Sequence, residues 1–130
     1  MTSALRTTKR VVVADDEPGV VDLITAMLAG AADECDLAID IAESGERALE
    51  ACRKDPPDAL ILDIRMPGMD GFEACRRLRE DPRTATIHIV MLTAFAQDAH
   101  MKRSFASGAN VFLTKPFTVD QLVSALAPAI

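Results

Sequence analysis

The stretch of sequence that decides the fold is RVVVADDE, residues 10–17. It is a short run of mostly β-branched apolar residues that ends in three consecutive acidic side chains. Further apolar runs follow along the chain, and segments with the apolar spacing of helices separate them. This alternation is typical of a parallel sheet that helices cover on both faces. The sequence therefore predicts an α/β fold, a doubly wound sheet of five parallel strands with five helices.

The predicted strands are short, and most are continuously apolar, as buried parallel strands are. They are residues 10–14, 37–41, 59–62, 87–92 and 111–113. Only the second alternates cleanly between apolar and polar residues, which predicts a strand at an edge of the sheet. Residues 1–9 lean polar, so we expect a flexible N-terminal segment before a single domain at residues 10–130.

Capping residues mark three of the predicted helices. Ser44 and Asp70 are suited to cap the second and third helices. Thr118 and Gln121 have the spacing of a capping box for the last one. The fourth helix, within residues 96–108, has poor apolar periodicity. We therefore expect it to be the least firmly docked.

Composition and charge exclude several classes of protein. The 130 residues fit one domain and leave no room for a second. With 14 basic and 20 acidic residues the net charge is −6, which disfavours direct nucleic-acid binding. Three cysteines without a Cys-x-x-Cys pair suit a reducing compartment and argue against a zinc site. Without a long apolar run or a signal peptide, we expect no membrane association and a cytoplasmic location.

Histidines and arginines outside the strand ends are assigned structural roles. His88 and His100 are the only histidines, and we expect packing or surface positions for both. Arg76, Arg77 and Arg79 fall close together in the third helix, where they are predicted to form a solvated face.

Reactive side chains follow four of the predicted strands. Asp15 and Asp16 follow the first, Asp63 the third, Thr93 the fourth and Lys115 the fifth. Ligands bind at this edge of open α/β sheets. If the strand order is 2-1-3-4-5, the first and third strands are neighbours. The three carboxylates then share one pocket.

Such a cluster of carboxylates calls for a cation, because like charges at close range raise each other's pKa values. Oxygen ligands suit magnesium, manganese or calcium. Lys115 lies two strands from Asp63, about 10 Å away, a gap that its long side chain can largely cross. Carboxylates, a divalent cation, a hydroxyl and an ammonium together suit a transferred phosphoryl group, with one carboxylate attacking phosphorus. Each residue alone has an ordinary explanation as a turn, a cap or a solvated side chain.

This arrangement resembles the receiver domain of bacterial two-component response regulators. The resemblance covers roughly residues 10–127, with the family's motifs in order at 11–17, 62–71, 92–94 and 115–117. It implies a flavodoxin-like fold in which Asp63 is the phosphoacceptor. It also implies that Mg²⁺ is held by Asp16, Asp63 and the backbone carbonyl of Arg65, with Asp15 acting through a metal-bound water.

The resemblance implies roles for further residues around the acceptor. Lys115 would bind the phosphoryl group, and Thr93 would reorient toward it. Phe112 occupies the position of an aromatic residue that turns inward when the threonine moves, but it lacks the hydroxyl of a tyrosine. The Lys115–Pro116 bond is expected to be cis.

The function that the resemblance implies is a phosphorylation switch. A histidine kinase or a histidine phosphotransfer protein would donate the phosphoryl group, and the surface of helix 4, strand 5 and helix 5 would change to control a downstream protein or output domain. Arg65 and Phe95 occupy positions beside the acceptor whose residue varies within the family and helps to set how long the phosphoryl group survives. The chain would catalyse only its own phosphorylation and dephosphorylation, so we do not expect an enzyme.

Two alternatives remain at this point. One is a phosphohydrolase with an aspartate nucleophile; such enzymes usually carry a second carboxylate two positions beyond it, where this chain has Arg65. The other is a dimerisation or docking module, or a phosphate sink. In that case no partner would bind with an affinity that depends on Asp63.

Overall fold

The computed structural model describes residues 7–31, 35–95 and 97–130. Strands and helices alternate strictly along them. The elements are β1 (Thr7–Ala14), α1 (Pro18–Ala31), β2 (Cys35–Ala42), α2 (Gly45–Lys54), β3 (Ala59–Asp63), α3 (Gly71–Glu80), β4 (His88–Thr93), α4 (Asp98–Ala106), β5 (Val111–Thr114) and α5 (Val119–Leu126).

The five strands form one parallel sheet in the order β2-β1-β3-β4-β5, which confirms the predicted fold class and the edge position of β2. Ala14 at the end of β1 pairs with Leu62 in β3, and Asp63 pairs with Leu92 in β4. The strand order reverses between β1 and β3, and a crevice opens at the carboxyl ends of strands at such a point. The residues that follow β1 and β3 therefore meet.

Apolar side chains fill both faces of the sheet, because successive residues of a strand point to opposite sides. Val12 of β1 lies in a cluster with residues of α2 and α3, such as Leu49 and Leu78. Val13 lies in the opposite cluster, with residues of α1 and α5 such as Ile24. Burial on both faces explains why the central strands are continuously apolar.

The predicted helix caps are confirmed. The side chain of Ser44 accepts a hydrogen bond from the backbone N–H of Arg47, and Asp70 accepts one from Glu73. Thr118 and Gln121 form the reciprocal capping box of α5. These side chains fix where α2, α3 and α5 begin.

The strand β1 is longer than predicted. It begins at Thr7 and pairs with β2 from that residue onward, so the last three residues of the segment predicted to be flexible form a strand. The ladder uses backbone groups, which are the same in polar and apolar residues, so the polar side chains gave no signal. Residues 1–6 of that segment lie outside the described residues.

The weak docking predicted for the fourth helix is confirmed. Of the nine residues of α4, Ser104 is the one that is buried. Met101 and Phe105, which share one face of the helix, are 38% and 46% exposed.

None of the helices formed by the described residues, α4 included, is long and apolar enough to cross a membrane.

The prediction of a solvated arginine face is wrong for Arg79. Its guanidinium donates hydrogen bonds to the carbonyl oxygens of Gly108, Ala85 and Ile87 at 2.6–2.9 Å, and to the Asn110 side chain. Arg79 lies in the last turn of α3, where its long side chain reaches the loops that precede β4 and β5. It therefore connects α3 to the loop before β4 and to the loop before β5.

Both histidines pack against other elements, as predicted. Nε2 of His88 lies 2.7 Å from the carbonyl oxygen of Ala125, in the last turn of α5. The ring of His100 stacks on Phe72, with a centroid distance of 6.2 Å and an interplanar angle of 13°.

Candidate functional site

The site is centred on Asp63, the last residue of β3. All five residues of this strand are buried, and Asp63 itself is 3% exposed. The backbone N–H of Ile64 donates a hydrogen bond to the carbonyl oxygen of Leu92, and the N–H of Gly71 donates one to the carbonyl oxygen of Ile64. A Cβ atom on Gly71 would lie 2.5 Å from the carbonyl oxygen of Asp63. Only glycine permits this approach, which folds the loop tightly around the carboxylate.

A group of acidic residues surrounds Asp63. Asp15, Asp16, Glu17 and Asp63 each place one carboxylate oxygen so that all four oxygens lie within 4.8 Å of one another. Asp15 is buried, whereas Asp16 and Glu17 are exposed. The predicted convergence of the three aspartates is confirmed, and Glu17 joins them although we had not expected it to. An all-oxygen group of this kind is suited to a hard divalent cation such as Mg²⁺.

Lys115 reaches the carboxylates from β5, as predicted. Its Nζ lies 3.1 Å from Oδ2 of Asp15, 3.5 Å from Oε1 of Glu17 and 3.7 Å from Oδ2 of Asp63. The Lys115–Pro116 bond is cis, also as predicted. The ammonium group thus lies against the acceptor and can neutralise an anion placed there.

Burial and the charge of Asp15 raise the pKa of Asp63 to about 7, although Lys115 and the backbone N–H of Arg65 oppose the shift. Burial alone would lower the pKa of Lys115, but the nearby carboxylates, chiefly Asp63 and Asp15, raise it above its ordinary value. Lys115 is therefore charged at neutral pH. Its single positive charge does not balance the negative charges of the surrounding carboxylates. The deficit is what a divalent cation would make up.

The two predicted switch residues lie in β4 and β5. Thr93 is buried at the end of β4, and its side-chain oxygen accepts a hydrogen bond of 3.1 Å from the backbone N–H of Phe95. Phe112 is half-buried opposite Met91 and packs against the core on the α2 and α3 side of the sheet. Thr93 therefore lies at the carboxyl edge with Asp63, and Phe112 lies farther back in the sheet.

Arg65 is exposed two residues beyond the acceptor. Its backbone N–H donates to Oδ1 of Asp63 at 3.3 Å. Its guanidinium lies over the ring of Phe95, 4.7 Å from the centroid. The predicted contribution of its backbone carbonyl to a metal site stays a prediction.

A cavity of about 710 Å³ opens beside the acidic group. Asp16 lines it together with Arg65, Phe95, His100 and Phe72. The sequence did not predict that His100 and Phe72 belong to the site. A phenylalanine and a histidine in separate helices carry no motif, and only the packing of α3 against α4 brings them together.

Comparison with known proteins agrees with this geometry. A model of the family described as the response regulator receiver domain matches residues 11–127. The chain is 37% identical over 115 residues to the DNA-binding dual master transcriptional regulator RpaA of Synechocystis, covering 88% of this chain and 46% of RpaA. It is 41% identical over 107 residues to the response regulator PleD of Caulobacter vibrioides, covering 82% of this chain and 23% of PleD. The chain thus spans less than half the length of these two relatives.

Solved structures agree as well. A putative response regulator from Chloroflexus aurantiacus superposes with a TM-score of 0.87 at 36% identity, over 95% of this chain and 98% of that one. The receiver domain of sensor histidine kinase PA1611 from Pseudomonas aeruginosa, solved with a magnesium ion coordinated in the active site cleft, gives 0.84 at 25% identity, over 95% and 98%. Sequence, fold and site lead to the same assignment: this chain belongs to the family of response regulator receiver domains of two-component systems.

Proposed function

We propose that Asp63 accepts a phosphoryl group from the phosphohistidine of a histidine kinase or a histidine phosphotransfer protein, in a reaction that requires Mg²⁺. The observation that carries this proposal is the position of a buried carboxylate 3.7 Å from the ammonium group of Lys115, inside a cluster of further carboxylates. A nucleophile and the charges that a phosphoryl group needs are thereby gathered in one place.

The transfer forms one bond and breaks another. An oxygen of the Asp63 carboxylate attacks phosphorus, and the bond between phosphorus and the donor's imidazole nitrogen breaks. The imidazole leaves with the electron pair and takes up a proton, and Asp63 becomes an acyl phosphate. Lys115 neutralises the phosphoryl oxygens throughout. Asp16, Asp63 and the backbone carbonyl of Arg65 would hold Mg²⁺, with Asp15 acting through water, and the ion would supply further positive charge.

Phosphorylation then changes the surface that follows Thr93. The hydroxyl of Thr93 turns to donate a hydrogen bond to the phosphoryl group, which removes its present contact with the Phe95 N–H. The adjoining helix α4 buries little and is therefore easily shifted. Phe112 completes the change by turning inward. The altered face of α4, β5 and α5 controls a downstream protein or an output domain.

The chain turns over no foreign substrate in this proposal. The acyl phosphate of Asp63 is lost by hydrolysis, which returns the site to its starting state. A phosphohydrolase needs an acid/base group near the nucleophile, and Arg65 is a permanently charged cation at that position. This residue favours a receiver over a phosphohydrolase.

The test uses phosphoramidate, a small donor whose phosphorus is bonded to nitrogen. With Mg²⁺ we expect one phosphoryl group per chain by intact mass, and none with EDTA in its place. Asp63→Asn should remain unlabelled, whereas Asp22→Asn, which changes an exposed acid of α1, should label like the wild type. Equal labelling of Asp63→Asn would refute the assignment. Sustained release of phosphate from p-nitrophenyl phosphate would favour the phosphohydrolase.

A further inference from the structure

The connection between β2 and α2 contacts both of the segments that carry the acidic group. We refer to residues 42–46 as the β2–α2 connection. At its start, the carbonyl oxygen of Ala42 accepts a hydrogen bond of 3.0 Å from the backbone N–H of Asp15. Near its end, Gly45 lies against Met69, in the loop between β3 and α3. The β2–α2 connection thus joins the end of β1 to the loop after β3.

The contact between Gly45 and Met69 leaves no room for a side chain. Gly45 is buried in the first turn of α2. A Cβ atom on this residue would lie 2.6 Å from the carbonyl oxygen of Met69 and 3.0 Å from its Cβ atom. A carbon atom overlaps a carbonyl oxygen at such a distance, so any side chain here forces α2 and Met69 apart. The glycine therefore sets the distance between the helix and the loop.

Glu46, the next residue of α2, contacts the same point of the loop. Its Oε1 accepts a long hydrogen bond of 3.4 Å from the backbone N–H of Met69. The bond is exposed to solvent, so we expect it to contribute less than the packing at Gly45. A glutamine offers the same oxygen without the charge.

The loop that contains Met69 carries a candidate metal ligand. In the proposed function, the backbone carbonyl of Arg65 binds Mg²⁺ together with aspartates of the acidic group. The β2–α2 connection is hydrogen-bonded to the backbone of Asp15. A displacement of Met69 away from α2 therefore also moves the loop away from the end of β1. The space between the ligands from the two segments then widens.

Mg²⁺ and Ca²⁺ respond differently to a wider site. Mg²⁺ requires a near-octahedral arrangement of oxygens at about 2.0–2.1 Å. Ca²⁺ accepts about six to eight oxygens at about 2.3–2.6 Å, in arrangements that vary from site to site. A wider site therefore loses affinity for Mg²⁺ and keeps more of its affinity for Ca²⁺.

We propose that Gly45 is a positioning residue of the metal site. By letting α2 touch Met69, it sets how closely the loop after β3 approaches the end of β1, and thereby the preference of the site for Mg²⁺ over the larger Ca²⁺. The inference rests on the proposed function and deepens it, because it names a residue that selects the cation. Gly45 acts through Met69 and supplies no ligand itself.

The experiment compares the affinities of the full chain for Mg²⁺ and Ca²⁺, measured from backbone amide shifts in ¹H–¹⁵N NMR titrations. Gly45→Ala adds the Cβ atom. We expect its dissociation constant for Mg²⁺ to rise about three- to tenfold, less than the roughly 10–100-fold that loss of a group bonded to a metal ligand costs. The dissociation constant for Ca²⁺ should change by less than about twofold.

Gly30→Ala is the matched control. Gly30 is exposed in α1, and a Cβ atom on it would have no neighbour within 4 Å. The same change of glycine to alanine in a helix should therefore leave both affinities at the wild-type values. Circular dichroism checks that each variant is folded.

A pair of variants at Glu46 replaces Gly45→Ala if that variant fails to fold. Glu46→Ala removes the acceptor of the Met69 N–H, and Glu46→Gln keeps it. Since both remove the same charge, the difference between them reports the hydrogen bond alone. We expect Mg²⁺ to bind about twofold more weakly to Glu46→Ala than to Glu46→Gln, and Ca²⁺ to bind both equally.

Several results would overturn the inference. These are wild-type Mg²⁺ affinity in a folded Gly45→Ala, a loss of Ca²⁺ affinity equal to or greater than the loss for Mg²⁺, and the same loss in Gly30→Ala. If the pair at Glu46 is used, equal Mg²⁺ affinities of its two members overturn it. A wild-type chain whose amide shifts do not respond to Mg²⁺ overturns the proposed metal requirement first, and this inference with it.

Discussion

Nζ of Lys115 lies 3.1 Å from Oδ2 of Asp15, although 100 positions of sequence separate the two residues. The contact joins the end of β5 to the end of β1 across the intervening ends of β3 and β4. It exists because parallel strands deliver the residues that follow them to the same edge of the sheet. Asp63 lies between the two, so the pair brackets the candidate acceptor.

Removing the Lys115 ammonium should strengthen Mg²⁺ binding. In Lys115→Met the carboxylates of Asp15, Glu17 and Asp63 lose their cationic neighbour, and a divalent cation then meets less repulsion. We expect roughly a three- to tenfold lower dissociation constant for Mg²⁺, because a unit charge a few ångströms away is worth on the order of 1 kcal/mol in a solvated site. Isothermal titration calorimetry measures it.

The control for this variant is Lys102→Met, which removes an exposed lysine of α4. Its Mg²⁺ affinity should equal that of the wild type within about twofold, since surface charges are screened. Unchanged or weaker Mg²⁺ binding by Lys115→Met would mean that the ammonium does not compete with a cation for these carboxylates.

Magnesium should stabilise the folded chain. A cation bound at the acidic group relieves the repulsion among Asp15, Asp16 and Asp63. At about ten times its dissociation constant it adds about 1.4 kcal/mol to the free energy of unfolding. Thermal melts with Mg²⁺ and with EDTA measure the shift. Asp16→Asn should lose most of this Mg²⁺-dependent shift, and Asp22→Asn should keep it. A wild-type melting temperature that does not change with Mg²⁺ would contradict the proposed metal site.

The stability of the metal-free chain should fall as the pH rises toward 8. The pKa of Asp63 is raised in the folded state to about 7, from an ordinary value of 3.8, so the folded state holds a proton that the unfolded state has already released. Stability is then greatest below the unfolded value and is lost as the pH rises through the folded one. We expect about 2 kcal/mol of loss between about pH 5.5 and pH 8.

Urea unfolding in EDTA across that range tests this expectation, with Asp63→Asn as the comparison. The variant has no carboxylate to ionise at position 63, so its stability should vary less with pH and exceed that of the wild type at about pH 8. Parallel pH profiles for the two proteins would show that Asp63 is not the group responsible.

Arg79 should matter for stability far more than its neighbours on α3. Arg79→Met leaves the carbonyl oxygens of Ala85, Ile87 and Gly108 without their donor, and we expect a loss of about 2 kcal/mol in the free energy of unfolding. Arg76, 58% exposed and paired with Glu73, is the matched control, and Arg76→Met should change the free energy of unfolding much less than Arg79→Met does. Equal losses in urea unfolding would remove the special role of Arg79.

The sequence was sufficient for the sheet because the periodic pattern records burial directly. The central strands are apolar at every position since helices cover both faces, and the alternation in β2 marks an edge. The chemistry at the carboxyl edge followed from that topology, including the reach of Lys115. The start of β1 could not be predicted, because the backbone hydrogen bonds from Thr7 to Lys9 do not depend on side-chain polarity.

Contacts that single side chains make with other parts of the fold could not be predicted from the sequence, for a different reason. Arg79 sits beside two solvated arginines in the same helix, and only the position of the following loops decides that its side chain is bonded. The stacking of Phe95, His100 and Phe72 likewise depends on how α4 lies against α3. Such contacts leave no periodic signal, since each involves a single residue of an element.

The most direct test of the account is to locate the phosphoryl group. Borohydride reduces an acyl phosphate of aspartate to homoserine, and peptide mass spectrometry identifies the altered position. After phosphoramidate and Mg²⁺ treatment, we predict homoserine at position 63 and unchanged aspartate at positions 15 and 16. Homoserine at another position, or none in a chain that carries the label, would contradict the assignment of Asp63 as the acceptor.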